Sequence, residues 1–208
     1  ITIGLPKSLT AACGVDALTH CIEAYTVQLH QPITDALALK GISMIAENLE
    51  KAYENGEDRE ARRNMMIAST IGGMAFISSN VGAVHAFAET VGAWFDTPHG
   101  VANSLFLPYI MEFNIPACPE RFADIADAMG IEREESMSDE QYALKAVEYV
   151  KALNRKLNIP TIKEIKGITE ERFEAIAERS ANNVLSNDNA RKITKEDYLE
   201  LLKKAYNE

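Results

Sequence analysis

Gly14-Val15-Asp16-Ala17-Leu18-Thr19-His20-Cys21-Ile22-Glu23-Ala24-Tyr25 is an apolar stretch that carries Asp16 and His20 four residues apart. On an α-helix of 3.6 residues per turn, such a pair projects from one face, so the carboxylate and the imidazole can reach a common ion. Two more histidines lie in a second apolar region, and neutral imidazoles with a carboxylate are ligands that Fe²⁺ and Zn²⁺ accept. The candidate ligands of a mononuclear metal site are therefore Asp16, His20, His85 and His99.

The spacing alone leaves other interpretations of these residues open. A buried histidine that is hydrogen-bonded to a neighbouring carboxylate would show the same pattern as a ligand pair. Glu23 follows His20 by three residues and is expected either to support a ligand or to pair with a lysine elsewhere. His30 lies in a polar segment and is interpreted as structural. The spacings HExxH, paired Glu-x-x-His and an adjacent His-Asp, which mark other metal enzymes, do not occur in the sequence.

Composition limits the classes of partner. The chain has 208 residues, of which 47% are hydrophobic, and this suffices for a sizeable core. A net charge of -10 argues against nucleic-acid and anionic-membrane partners, because both require a basic surface. Three cysteines without a CxxC spacing favour a reducing, cytoplasmic compartment. No apolar run approaches the roughly 20 residues of a membrane span, so we expect a soluble protein whose partners are small molecules or other proteins.

Helical signals recur along nearly the whole chain. Polar residues that can cap helices stand before several apolar-periodic runs, and no alternating run predicts a sheet. The expected caps are Thr34, Asp58, Thr97 (with Pro98 in the first turn), Ser138, Thr169 and Thr194. The pair Gly72-Gly73 is interpreted as a place where another helix approaches closely, because a phosphate loop needs a preceding strand and wider glycine spacing.

These signals predict an all-α, multi-helix domain over residues 1–208. We expect an apolar half at 1–115 to hold the chemistry and an amphipathic half at 116–208 to support it. The chain begins at Ile1 rather than Met, and its opening residues are typical of a segment that continues something upstream, so we expect a piece of a longer polypeptide.

Two regions of the sequence match family signatures. The first comprises Leu5-Pro6-Lys7-Ser8-Leu9-Thr10-Ala11 and the stretch from Gly14 to Tyr25, and the second comprises Val84-His85 and Thr97-Pro98-His99-Gly100-Val101-Ala102-Asn103-Ser104-Leu105-Phe106-Leu107-Pro108. They resemble the signature regions of the iron-containing, or group III, alcohol dehydrogenases. Asn189-Ala190-Arg191 is similar to an Asn-Pro-Arg run that precedes the last helix in many relatives. The resemblance assigns the metal to Asp16, His20, His85 and His99.

The resemblance also implies an architecture and a reaction. Such enzymes join an N-terminal α/β domain that binds NAD or NADP to a C-terminal all-helical domain that holds iron, sometimes zinc. This chain resembles only the second part, and a glycine-rich nucleotide motif is absent from its sequence. We therefore expect it to be the metal-binding part of an oxidoreductase that interconverts a primary alcohol and its aldehyde, with the metal as Lewis acid. The isolated chain is expected to bind metal without turnover, and a homo-oligomer is possible for the whole enzyme.

One position departs from the family pattern. Four residues after His85, where many relatives have a histidine near the nicotinamide, this chain has Glu89. Glu89 is thus a candidate for a catalytic and cofactor-contacting residue, or a substitution without a catalytic role. Two other functions stay open: a relative of the glycerol-dehydrogenase or dehydroquinate-synthase type, and a helical scaffold module whose metal site has decayed.

Overall fold

The computed structural model describes residues 2–208, and Ile1 lies outside the described residues. Residues 2–208 form nine α-helices and contain no β-strand, which confirms the all-α prediction. The helices are α1 (Lys7–Thr26), α2 (Pro32–Glu54), α3 (Arg59–Ser79), α4 (Ala83–Phe95), α5 (His99–Asn114), α6 (Pro119–Ala128), α7 (Asp139–Lys156), α8 (Phe173–Ala181) and α9 (Lys195–Asn207). Short 3₁₀ turns lie at Thr2–Gly4, Ile115–Ala117, Ile162–Glu164, Glu170–Arg172 and Val184–Asp188.

Three of the predicted caps begin helices as expected. The carboxylate of Asp58 accepts hydrogen bonds from the first backbone N–H groups of α3. Ser138 and Thr194 begin α7 and α9 with reciprocal capping boxes, to Gln141 and Asp197 respectively. These side chains satisfy amide groups that a helix start leaves without partners.

The other three expected caps are wrong. Helix α2 begins two residues before Thr34, because Pro32 fills its first position, and the Thr34 hydroxyl accepts from the backbone N–H of Gln31 instead. Pro98 is extended, so α5 begins at His99 and Thr97 caps nothing. Thr169 precedes a 3₁₀ turn and makes no capping bond.

Helix α1 lies at the centre of the first half, in contact with α2, α3 and α5. Helices α6 and α7 pack as a pair, as do α8 and α9, and α4 bridges to α8. One continuous apolar core runs through both halves. Its aromatic centre is Phe87, which stacks on Phe106 with ring centroids 3.9 Å apart and meets Tyr198 of the last helix edge-on at 4.8 Å.

Close helix contacts surround α1. A Cβ on Gly72 would lie 3.1 Å from Cys21 Sγ, which agrees with the predicted helix approach, whereas a Cβ on Gly73 would meet no described atom within 4 Å. A Cβ on Gly100 would lie 2.4 Å from the carbonyl oxygen of Ala12. The start of α5 therefore rests directly on the backbone of α1.

Within residues 2–208, no single helix has the length and apolar character needed to cross a membrane. Helices α3 and α4 meet that test only as a pair, and the chain bends by 105° between them.

Candidate metal centre

The four side chains picked out in the sequence come together in the fold. Asp16 and His20 project from the middle of α1, His85 from the first turn of α4, and His99 from the first residue of α5. One possible ligand atom from each lies within 4.8 Å of the others. Three helices thus bring one carboxylate and three imidazoles to a single focus.

The contacts inside this cluster bring ring nitrogens and carboxylate oxygens close together. The Nε2 atoms of His20 and His85 are 3.1 Å apart, and Nε2 of His99 is 3.5 Å from Oδ1 of Asp16. His20 Nδ1 is 3.9 Å from the other Asp16 oxygen. Lone pairs held this near one another repel unless protons or a cation lie between them.

Asn103 lies beside the cluster, one turn after His99 on α5. Its side-chain nitrogen is 2.5 Å from Asp16 Oδ1, 3.0 Å from His99 Nε2 and 3.2 Å from His85 Nε2. An amide nitrogen carries two protons, so it cannot satisfy three acceptors. Among the described residues, its oxygen is buried without a hydrogen-bond partner. This excess of acceptors is what a divalent cation would satisfy, so the donor set fits the metal that the resemblance implies.

Glu23 supports the cluster from beneath. Its side chain is buried; Oε2 lies 2.5 Å from His85 Nδ1, and Oε1 accepts the backbone N–H of Val84 at 2.7 Å. Of the two roles expected for Glu23, the structure shows contact with a candidate ligand, His85. Within residues 2–208, no lysine pairs with Glu23.

One side of the cluster is open. The His85 side chain is 5% exposed and that of His99 is 50% exposed, with Asp16 and His20 between these values. The ring of Phe76 on α3 stacks on His20, with centroids 4.5 Å apart. Solvent therefore reaches the cluster from the His99 side.

The protein environment shifts the pKa values of His20 and His85 in opposite directions. Burial lowers the pKa of His20, and the neighbouring His85 lowers it further. Burial would also lower the pKa of His85, but the hydrogen bond and charge of Glu23 outweigh it and raise the pKa.

The remaining candidates lie outside the cluster. Glu89 is one turn beyond His85 on α4, exposed, and its carboxylate accepts a 2.6 Å hydrogen bond from the side chain of Asn183. His30 lies in the polar loop after α1, with Nδ1 3.3 Å from Asp35. Its position agrees with the structural interpretation.

The start of α4, which carries His85, is held from the far end of the chain. Asn189 Oδ1 accepts the backbone N–H of Ala83 at 3.3 Å and the side-chain amide of Asn114 at 3.0 Å, and Asn189 donates back to Asn114 at 2.8 Å. The Cβ of any larger residue at Gly82 would lie 3.1 Å from Asn189 Oδ1 and 3.2 Å from Glu23 Oε1. Glycine at this position therefore lets both side chains reach the helix start.

Comparison with known proteins identifies the family. The sequence profile described as "Fe-containing alcohol dehydrogenase family, C-terminal" matches residues 10–206. The chain belongs to this family. It is 43% identical over 206 residues to alcohol dehydrogenase 4 of Saccharomyces cerevisiae, covering 98% of this chain and 52% of that protein. It is 40% identical to 1,3-propanediol dehydrogenase of Klebsiella pneumoniae, covering 99% and 53%.

A solved structure shares the fold. The alcohol dehydrogenase from Oenococcus oeni superposes with a TM-score of 0.94 at 40% identity, over 98% of this chain and 53% of that one. The chain thus spans about half the length of the relatives that it matches, and the family profile assigns this half to the C-terminal part.

Proposed function

We propose that this chain is the metal-binding part of an NAD(P)-dependent dehydrogenase that interconverts a primary alcohol and its aldehyde. The observation that carries the proposal is the convergence of Asp16, His20, His85 and His99. The family membership agrees with it, since the similar proteins are named as dehydrogenases of alcohols and of 1,3-propanediol.

We assign the metal to these four residues, as Fe²⁺ or Zn²⁺. When held there, a divalent cation would supply electrophilic activation of the substrate oxygen, which hydride transfer to or from a nicotinamide requires. Asp16 provides the one negative charge, and the three imidazoles fix the geometry without cancelling the rest of the cation's charge. The half-exposed position of His99 leaves the site accessible to a small alcohol or aldehyde.

Within the chain, we propose that residues 1–115 hold the metal and that residues 116–208 support them. NAD or NADP would bind mainly to an N-terminal nucleotide-binding domain, which the matched half of the relatives does not include. We place the whole enzyme in the cytoplasm, acting on small molecules rather than on nucleic acid or membranes, and a homo-oligomer is compatible with this role.

Glu89 is proposed to accept or relay a proton near the nicotinamide. Support comes from its place one helical turn beyond His85 and from the exposure of its side chain. In a protein that includes the nucleotide-binding domain, Glu89→Gln should lower turnover and alter its pH profile while the metal content stays the same. An unaltered rate and pH profile would leave Glu89 without a catalytic role.

Metal analysis tests the proposal directly. The purified chain, dialysed against Zn²⁺ or Fe²⁺ and then against metal-free buffer, should retain a single ion per chain by elemental analysis. It should not oxidise NADH or NADPH with an aldehyde. A folded chain that retains no metal would instead support the scaffold module, and aldehyde reduction by the isolated chain would contradict the division of labour between the two domains.

A further inference from the structure

The carboxylate of Glu23 gives both of its oxygens to the start of α4. Oε1 accepts the N–H of Val84, and Oε2 meets Nδ1 of His85. Glu23 is 3% exposed, and within residues 2–208 no arginine or lysine pairs with it. A buried carboxylate in this position costs solvation energy, so the two donors that it meets decide whether it is stable there.

The contact with His85 fixes which ring nitrogen carries the proton. An ionised carboxylate can only accept, so Nδ1 of His85 must donate. In a neutral imidazole the other nitrogen, Nε2, then has a free lone pair. That nitrogen is the one that faces His20 and Asn103 in the cluster.

We propose that Glu23 is a positioning residue, which holds His85 in the tautomer that presents Nε2 to the metal and ties this choice to the first turn of α4. The inference rests on the proposed function, because it needs a metal at the cluster. It extends that function by naming the residue that orients His85, the most deeply buried of the four proposed ligands. Carboxylates that accept from the far nitrogen of a ligating histidine orient the ring and increase its basicity.

The neighbours of Glu23 fix which of its two oxygens meets which donor. The backbone amide of Val84 can only donate, and Oε1 is its acceptor. Gly82 gives Oε1 the room to approach, since a Cβ there would lie 3.2 Å away. With Oε1 held at Val84, Oε2 is the oxygen that faces His85.

The substitution Glu23→Gln separates this role from simple packing because the two side chains have the same shape. If the amide oxygen stays on Val84, the NH₂ group faces Nδ1 of His85, which can accept only when the proton moves to Nε2. The proton then occupies the position of the metal. If the amide flips, its NH₂ group opposes the N–H of Val84, and the start of α4 loses its acceptor.

We expect Glu23→Gln to weaken Zn²⁺ binding by about 10- to 100-fold, measured by competition with a chelator on the 208-residue chain. The matched control is Glu164→Gln, because Glu164 also accepts a backbone and a side-chain donor, both from Thr161, but on an exposed turn. The control should bind Zn²⁺ as the unaltered chain does. A folded Glu23→Gln chain with unchanged affinity would overturn the inference.

A second measurement needs no variant and covers the case in which Glu23→Gln fails to fold. In the Zn²⁺-loaded chain labelled with ¹⁵N-histidine, NMR should show the His85 proton on Nδ1 and the metal on Nε2; with four histidines in the sequence, assignment is direct. Metal on Nδ1 would overturn the inference and leave the proposed function standing. An unaltered, folded chain that binds no Zn²⁺ or Fe²⁺ would overturn both.

Discussion

The side-chain amide of Asn154 on α7 donates a 2.7 Å hydrogen bond to the backbone carbonyl of Ser104 on α5. In an uninterrupted helix this carbonyl would accept the N–H of the residue four positions later, but that residue is Pro108, which has none. Ser104 is fully buried, so water cannot replace the missing donor. A side chain from the second half of the chain thus replaces the donor that Pro108 removes from the helix that carries His99.

We expect Asn154→Ala to lower the free energy of unfolding by about 1–3 kcal/mol, because it leaves a buried carbonyl without a donor. Pro108→Ala restores an N–H to α5, so Asn154→Ala should cost less in that background, and a double-mutant cycle from urea unfolding measures the difference. Asn207→Ala, which removes a similar bond to an exposed carbonyl, serves as the control. An equal loss of unfolding free energy in both backgrounds would show that Asn154 does not compensate for Pro108.

The adjacent glycines of α3 should respond differently to alanine. Gly73→Ala is expected to stabilise the chain by about 0.5–1 kcal/mol, because alanine restricts the unfolded chain and finds open space in the fold. The Cβ of Gly72→Ala would lie 3.1 Å from Cys21 Sγ and 3.4 Å from the carbonyl of Ala17, which offsets that gain. Thermal unfolding of the two variants compares them, and equal stability would show that α1 and α3 are less tightly packed.

His99→Ala should lose bound Zn²⁺ or Fe²⁺, because it removes one of four proposed ligands. Since His99 is half-exposed, the fold should keep nearly its full stability. His85→Ala should lose metal as well, and it should also be less stable because it leaves Glu23 buried without its partner. Elemental analysis measures both, with His30→Ala as a control that keeps its metal. Full stoichiometry in His99→Ala would reject His99 as a ligand.

The cysteines should differ in reactivity. Burial raises the pKa of the Cys21 thiol to about 12, whereas Cys13 is exposed and its pKa is raised by partial burial and by the charge of Asp16. The thiolate is the nucleophile, so at pH 8 iodoacetamide should modify Cys13 slowly and leave Cys21 intact. Mass spectrometry before and after unfolding in urea reads the result. Modification of Cys21 in the folded chain would mean that the α1–α3 contact opens.

Local patterns sufficed to predict the helical class and several helix starts. Asp58, Ser138 and Thr194 cap as expected because their partners lie within three residues. Thr34 and Thr97 do not cap because a proline near each of them determines where the helix starts. Pro32 occupies the first position of α2, two residues before Thr34, and Pro98 is extended immediately before α5.

The cluster itself could be predicted from spacing only in part. The pair on α1 follows from helical geometry, but convergence with His85 and His99 needed the family resemblance, since no local rule brings α4 and α5 onto α1. The bond from Glu23 to His85 spans 62 positions and has no sequence signal. Asn103 could have been predicted as a neighbour of the cluster, because it follows His99 by one helical turn.

The hydrogen bond between Asn189 and the first turn of α4 has a practical consequence for transplanting the site into a smaller protein. A version cut after α5 would keep all four proposed ligands but would lose the acceptor for the first turn of α4, which carries His85. The smallest segment that could transfer the site intact is therefore nearly the whole domain, and miniaturisation has to begin by replacing that hydrogen bond.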